Sequence, residues 1–263
     1  MITLIDGDVL VYRCGFASQK KEFGDPAPIS HCLSMVKLSV NAIINETSGT
    51  DYKVFLSGPT KDNFRTKIAV TPGPRGLGYK AGRPDKPIHY QAIRDYLTGR
   101  WAAETTTTIE ADDALGILQT KYLETGVDSI VASIDKDLRG FLGSHYDFVK
   151  KIHYTSTDPG ELYFHEGKRS KLYGGGVKWF YAQLLMGDAV DNIPGIKGYG
   201  PVKAFNTLDE KKDEKEYLET VANIYSDFYG KEYKEKLYEM SDLLWILRHE
   251  NEFKSNDLKK RLK

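Results

Sequence analysis

Four short acidic clusters carry most of the chemistry open to this chain: Asp6-Gly7-Asp8, Glu110-Ala111-Asp112-Asp113, Asp135-Lys136-Asp137 and Asp188-Ala189-Val190-Asp191. Each sits at the edge of an apolar segment. Glu110 and Asp113 are three residues apart, a spacing that sets them on one face at a helix start, and Asp188 and Asp191 have the same spacing. A single acid at a helix start needs no function, because free N–H groups and the macrodipole favour it there. Four clusters together ask for more. Carboxylates brought within a few ångströms repel, and they stay ionised only beside a compensating cation. An oxygen-only set without His or Cys suits Mg²⁺ or Mn²⁺ rather than zinc. Two such ions would activate a water and stabilise the leaving oxygen of a phosphodiester. An apolar strand ending in Asp-x-Asp also opens haloacid-dehalogenase-like phosphatases, but that chemistry leaves residues 188–205 without a use.

The stretch from Asp188 through Asn192-Ile193-Pro194-Gly195-Ile196-Lys197-Gly198-Tyr199-Gly200-Pro201 is the most specific in the chain. An amphipathic helix carrying Trp179, Phe180, Gln183 and Leu184 runs into it, and Pro201 suits the first position of the next helix. Gly195, Gly198 and Gly200 let backbone N–H groups approach a phosphate without a Cβ in the way. Such helix–hairpin–helix loops hold a nucleic-acid backbone without reading its sequence. A second candidate surface, Lys61 to Lys86, carries Lys61, Arg65, Lys67, Arg75, Lys80, Arg83 and Lys86 against Asp62 and Asp85. Phe64 and Tyr79 add rings able to stack on a terminal base.

These groups need positioning elements. Ile2–Ile5 reads as a buried strand closing on Asp6, and Tyr52–Ser57 and Ser129–Ser133 as two more. Helical periodicity predicts helices over about 29–46, 88–98 and 110–124. Residues 148–154 and 161–165 alternate as edge or hairpin strands, and the chain from Lys178 onward reads as helical. Strands alternating with helices predict an α/β core with a largely parallel sheet. Acids just past strand carboxyl ends lie where open α/β sheets bind ligands. The Asp6 and Asp135/Asp137 groups meet there provided that their strands are sheet neighbours.

Bulk properties set the frame. At 263 residues, 40% hydrophobic and 12% aromatic, the chain can bury a real core. No apolar run approaches the roughly 18 residues of a membrane helix. Cys14 and Cys32 are the only cysteines, too few for a disulfide framework, so the expected setting is soluble and reducing. Basic and acidic residues balance at 37 each, which argues against a simple basic DNA binder but allows a basic groove offset by an acidic metal site.

In order along the chain, Ile5-Asp6-Gly7, Phe64-Arg65 with Tyr79-Lys80-Ala81-Gly82-Arg83-Pro84, Glu110-Ala111-Asp112-Asp113, Ser133-Ile134-Asp135-Lys136-Asp137-Leu138 and Met186-Gly187-Asp188 through Gly200 resemble the 5′ nucleases: flap endonucleases, polymerase-associated 5′–3′ exonucleases and their phage relatives. The resemblance covers roughly residues 2–205. It implies a PIN-like α/β core with helices flanking a largely parallel central sheet, and a C-terminal helical lobe with a helix–three-turn–helix element. The implied division is 1–176 for the nuclease core and 177–263 for the lobe. Two Mg²⁺ or Mn²⁺ ions would be held by Asp6, Glu110, Asp112, Asp113, Asp135, Asp137, Asp188 and Asp191. Lys80 and Arg83 would position the scissile phosphate. Arg65, Tyr79, Gly195, Ile196, Gly198, Gly200 and Lys203 would contact DNA, with K⁺ at the 193–200 loop.

The chain departs from that family in two places. Relatives usually carry an Asp in the turn after the second strand; here the turn reads Ser57-Gly58-Pro59-Thr60, leaving Asp62 or Asp8 as substitute. Only 26 residues separate Arg83 from Glu110, short for an arch that threads a 5′ strand. That shortness resembles the compact phage version and favours a 5′–3′ exonuclease over a structure-specific flap endonuclease. A catalytically silent DNA-end binder and a PIN-type ribonuclease rank lower. The expected partner is 5′-ended duplex, nicked or flapped DNA, met by a monomer in the bacterial or host cytoplasm, with replication or recombination proteins as further partners.

Overall fold

The computed structural model describes residues 1–19, 28–165 and 168–262. Strand β1 (Ile2–Asp6) leads directly into helix α1 (Gly7–Ser18), followed by α2 (Ile29–Glu46) and β2 (Asp51–Leu56). A single turn of 3₁₀ helix at Thr60–Asp62 precedes α3 (Phe64–Ile68). Next come α4 (Tyr90–Trp101), β3 (Glu104–Thr105), α5 (Ala111–Thr125) and β4 (Ser129–Ala132). Strands β5 (Gly143–Asp147), β6 (Ile152–Ser156), β7 (Leu162–His165) and β8 (Lys168–Gly174) lead to α6 (Gly176–Met186). The rest is a two-residue ladder, β9 (Gly187–Asp188) with β10 (Ile193–Pro194), then α7 (Pro201–Leu208), α8 (Glu214–Tyr229), α9 (Tyr233–Leu244) and α10 (Lys254–Arg261).

These elements form two compact units that are discontinuous in sequence. The first comprises Met1–Asn63, Pro84–Asp135 and Gly143–Thr155; the second comprises Phe64–Arg83, Lys136–Leu142 and Ser156–Lys263.

The first unit is the expected α/β core. Its six-stranded sheet runs β3-β2-β1-β4-β5-β6, and the β1–β2, β1–β4, β2–β3 and β4–β5 pairs are all parallel. Leu4, Ile5, Val131 and Ala132 are fully or almost fully buried. Strands covered on both faces read as continuous apolar runs rather than alternating ones. Val11, Val40, Ile43, Ile93, Leu97 and Trp101 from α1, α2 and α4 join Ile5 and Leu56 in one core, each full burial of such a side chain contributing about 1.5–3 kcal/mol. The β1–α1 junction is tight. A Cβ at Gly7 would stand 2.5 Å from the Phe55 carbonyl oxygen and 2.8 Å from Leu56 Cδ2, so only glycine lets α1 start against β2.

The second unit is mainly helical. Helix α6 is buried on every side, with Trp179, Phe180, Tyr181, Leu184 and Leu185 all 3% exposed or less, the all-round pattern of a central helix. Trp245, just past α9, meets Phe180 edge to face with ring centroids 5.0 Å apart. Strands β7 and β8 form an antiparallel hairpin.

A charged knot ties α8 to α10 in this unit. Glu214 accepts from Tyr181 Oη at 3.1 Å and Lys254 Nζ at 2.9 Å, and pairs with Arg261 Nη1 at 2.9 Å. Burial works to raise the Glu214 pKa, but the two cations outweigh it and hold it below the ordinary 4.5. A depressed carboxyl contributes stability that is complete above its unfolded value and is lost as pH falls through the folded one. The thermal midpoint should therefore drop as pH falls below about 4.5, and Glu214→Gln should lower it at pH 7 while flattening that acid slope. Parallel pH profiles for the two proteins would remove Glu214 from the account.

Candidate functional site

In the first unit, β1 delivers Asp6 to its carboxyl end. There Asp6 caps α1 through the Val9 N–H at 3.0 Å and is only 1% exposed. The neighbouring parallel strand β4 pairs Ala132 with Ile5, so Ser133 comes alongside. Its hydroxyl donates to Asp6 Oδ2 at 2.6 Å and its oxygen accepts the Asp135 N–H at 3.0 Å. The sheet-neighbour condition set by the sequence is thus met, and Asp6 and Asp135 share one sheet edge. Burial first, then the charges of Asp8 and Asp135, push the Asp6 pKa up to about 7, against hydrogen bonds from Ser133 and Val9.

Asp8 lies on the first turn of α1. Its carboxylate accepts the Ser57 N–H at 3.1 Å and faces Arg94 Nη1 at 3.4 Å, while Arg94 Nη2 donates to the Ser57 carbonyl at 2.9 Å. Of the two candidate substitutes for the missing turn acid, Asp8 is the one brought to Ser57. Asp62 is exposed on its 3₁₀ turn. At α5, Asp113 is fully buried and accepts the Glu110 N–H at 2.9 Å, a capping role. Glu110 is 8% exposed and Asp112 half-buried.

In the second unit, Asp137 Oδ1 accepts from Gln183 Nε2 at 2.7 Å and Trp179 Nε1 at 3.4 Å, both on α6. Asp188 is 6% exposed and turns its Oδ1 back onto the Val190 N–H at 2.7 Å. The Lys136 ammonium lies 3.5 Å from Asp137 and 3.2 Å from Asp188. Asp191 receives Tyr79 Oη at 2.9 Å, Lys80 Nζ at 3.8 Å and the Arg83 guanidinium. Burial works to raise the Asp191 pKa, but Lys80 and Arg83 outweigh it and bring it below the ordinary carboxylate value. The two basic residues expected to position a phosphate thus converge on one carboxylate. Among the described residues, no three His, Cys, Asp or Glu side chains form a ready-made metal cage.

The other expected DNA contacts divide. Arg65 is 2% exposed and donates to the backbone carbonyls of Leu243 at 3.0 Å and Trp245 at 2.6 Å. Tyr79 is 6% exposed. Both are held in the interior. Gly198, Gly200 and Lys203 are exposed, with Lys203 Nζ 3.9 Å over the Tyr199 ring. Ile196 is buried, its N–H donating to the Leu185 carbonyl at 2.8 Å. A Cβ at Gly195 would come within 2.3 Å of the Met186 backbone, so the loop returns tightly onto the end of α6.

Motif reading passed over Ser133, Lys136, Arg94 and Asn192. Ser133, Lys136 and Asn192 lie inside the motifs, and adjacency to the acids was their only signal. Arg94, one helical turn after Tyr90, carried none.

A parallel α/β core with acids at its strand ends, joined in one chain to a helical unit holding a glycine-rich hairpin loop, defines a nuclease-like class. Residues 1–166 match the family described as 5′-3′ exonuclease, N-terminal resolvase-like domain, and the chain belongs to that family. It is similar to DNA polymerase I of Chloroflexus aurantiacus, 27% identical over 224 residues, which cover 80% of this chain and 23% of that protein. It is also similar to a 5′-3′ exonuclease of Buchnera aphidicola, 25% identical over 231 residues, covering 86% and 75%. The chain therefore spans about a quarter of the polymerase but most of the separate exonuclease. A solved structure of bacteriophage T5 D15 flap endonuclease, in a pseudo-enzyme-product complex with DNA and metal ions, shares the fold at a TM-score of 0.59 and 17% identity, over 93% of this chain and 88% of that one. No helix among the described residues is long and apolar enough to cross a membrane.

Proposed function

We propose that the chain is a divalent-metal-dependent 5′–3′ exonuclease that hydrolyses phosphodiester bonds from the 5′ ends of duplex DNA. The observation that carries this reading is Asp6, buried at the end of β1 and linked through the Ser133 hydroxyl to Asp135 beyond the neighbouring parallel strand, so that carboxylates gather at the carboxyl end of the sheet. Hard oxygen donors that repel one another are relieved by a cation, and the donor set fits Mg²⁺ or Mn²⁺. The proposed ligands are Asp6, Glu110, Asp112, Asp113, Asp135, Asp137, Asp188 and Asp191, with Asp8 standing in for the missing turn acid. When bound, such ions lower the pKa of an attacking water and neutralise charge on the leaving oxygen.

The chain's own residues do the rest. Lys80 and Arg83 take the scissile phosphate, which competes with Asp191 for them. The exposed Gly198, Gly200 and Lys203 take backbone phosphates, a sequence-independent contact, with K⁺ at the same loop. The functional division, a nuclease core over 1–176 and a DNA-binding lobe over 177–263, belongs to this proposal, as do a monomeric state, a cytoplasmic setting and replication or recombination partners. The family membership supports it, and the T5 flap endonuclease whose fold this chain shares was solved with DNA and metal ions.

The test offers 5′-labelled DNA as blunt duplex, nicked duplex and 5′ flap, with Mg²⁺ or EDTA. Short labelled products from duplex and nick, lost in EDTA, are expected; flap-length products would make the enzyme a flap endonuclease. Binding without cleavage on all three substrates would overturn the catalytic reading.

Millimolar Mg²⁺ should also raise the thermal midpoint at neutral pH, because a cation bound only by the native state adds to its stability. A midpoint unmoved by Mg²⁺ would count against the carboxylates as ligands.

A further inference from the structure

The segment bearing Lys80 and Arg83 has little regular structure of its own. After α3 it runs through a bridge in which Gly73 and Gly76 exchange backbone hydrogen bonds at 2.9 and 3.1 Å. Gly76, Gly78, Lys80 and Gly82 all have positive φ, from 59° to 104°. A non-glycine residue in that region costs on the order of 1 kcal/mol and persists only where neighbours hold it. Lys80 is such a residue, so something outside the segment must fix its path.

Asn192 does so with every polar atom of its side chain. Its Oδ1 accepts the Arg75 N–H at 2.6 Å, and its Nδ2 donates to the Gly76 carbonyl at 2.9 Å and the Gly78 carbonyl at 2.8 Å. Only an amide presents an acceptor and two donors from one planar head. Asn192 is 4% exposed and itself sits at φ 61°, a conformation asparagine tolerates better than most side chains. The two segments also touch through their backbones. The Lys80 N–H donates to the Asp191 carbonyl at 2.8 Å, and a Cβ at Gly73 would stand 1.8 Å from the Asn192 carbonyl oxygen.

We infer that Asn192 is a positioning residue: its amide clamps the 73–83 segment and so sets where Lys80 and Arg83 present their charge. It acts through those residues without touching the substrate. The inference rests on the nuclease reading only for its catalytic consequence; the clamping is a property of the metal-free protein.

The variant to make is Asn192→Gly, because glycine accepts φ 61° without strain while the side chain and its three hydrogen bonds are lost. Hydrogen exchange in the metal-free protein should quicken about tenfold or more across residues 75–83, with β1 and β4 unaffected. On 5′-labelled duplex with Mg²⁺, kcat should fall at least about tenfold while KM changes less than about threefold, since misplacing a positioning group acts on the transition state. Asn192→Asp keeps the acceptor but sets a carboxylate against two carbonyls, and should fail to restore either property. Unchanged exchange in Asn192→Gly would overturn the clamp. Faster exchange with wild-type kcat would overturn its catalytic role. If the wild-type protein cleaves no 5′-ended DNA, the nuclease reading fails by itself and the catalytic role with it, and the exchange experiment still decides the clamp.

Discussion

Replacing Asp135 with alanine is expected to lower Mg²⁺-dependent cleavage of 5′-ended DNA by about a thousandfold or more while DNA binding survives. A thousandfold corresponds to about 4 kcal/mol of transition-state stabilisation, within what a misheld metal forfeits. The expectation comes from the shared sheet edge. Asp135 is tethered through Ser133, whose hydroxyl also holds Asp6, and its charge helps raise the Asp6 pKa. The loss should appear in kcat, measured with the labelled-duplex assay, while the binding isotherm keeps its wild-type midpoint. The Asp135→Ala variant should also respond less to Mg²⁺ in its thermal midpoint, since it lacks one oxygen donor. Full activity in this variant would sink the proposed site.

Arg65→Ala should cost about 3 kcal/mol of stability, because it removes a buried guanidinium and strands its two carbonyl partners. For a chain of this size that is a fall of roughly 6–12 °C in thermal midpoint. Arg65 donates to the Leu243 and Trp245 carbonyls at and just beyond the end of α9, where the helix dipole favours a cation, and it lies 4.6 Å over the Phe64 ring. Arg65 reaches the two carbonyls from two separate nitrogens of its planar guanidinium, Nε and Nη2, a fork that lysine lacks, so Arg65→Lys should recover little. The result separates two roles for this residue. A DNA contact would leave the melt unchanged and reduce the salt dependence of binding by about one ion. A lowered melt with an unchanged salt slope makes Arg65 an internal tie that supports α3 and α9.

The positions of the catalytic candidates were readable from local pattern. Ile2–Ile5 and Ser129–Ser133 are short apolar runs ending in acids, and in the structure their strands end at Asp6 and Ala132 with the acids just at or beyond the edge. The helix expected over 29–46 runs from Ile29 to Glu46. Such features depend on side-chain period and on breakers a few residues away, information contained within the segment itself. The helix expected over 88–98 instead occupies Tyr90–Trp101, because its end is set by Ala102 in a left-handed cap and by Trp101 burying against the core, neither of which has a local sequence mark.

Which partner each polar group takes was decided by tertiary structure alone. Arg65 and Tyr79 look like surface residues of a basic loop, yet the partner of Arg65 at Leu243 is 178 residues away, and that of Tyr79 at Asp191 is 112 away. The same distance hides Asn192, whose neighbours at Arg75 to Gly78 carry no periodicity that points to it. The sequence by itself determined the chemistry: hard carboxylate donors at strand ends, two basic residues before Pro84, and a glycine-rich loop after α6. The tertiary structure decided the allocation. Burial makes an unpaired polar group costly, so groups such as Arg65, Asp191 and Asn192 settle on the partners that the folded chain brings within hydrogen-bonding reach.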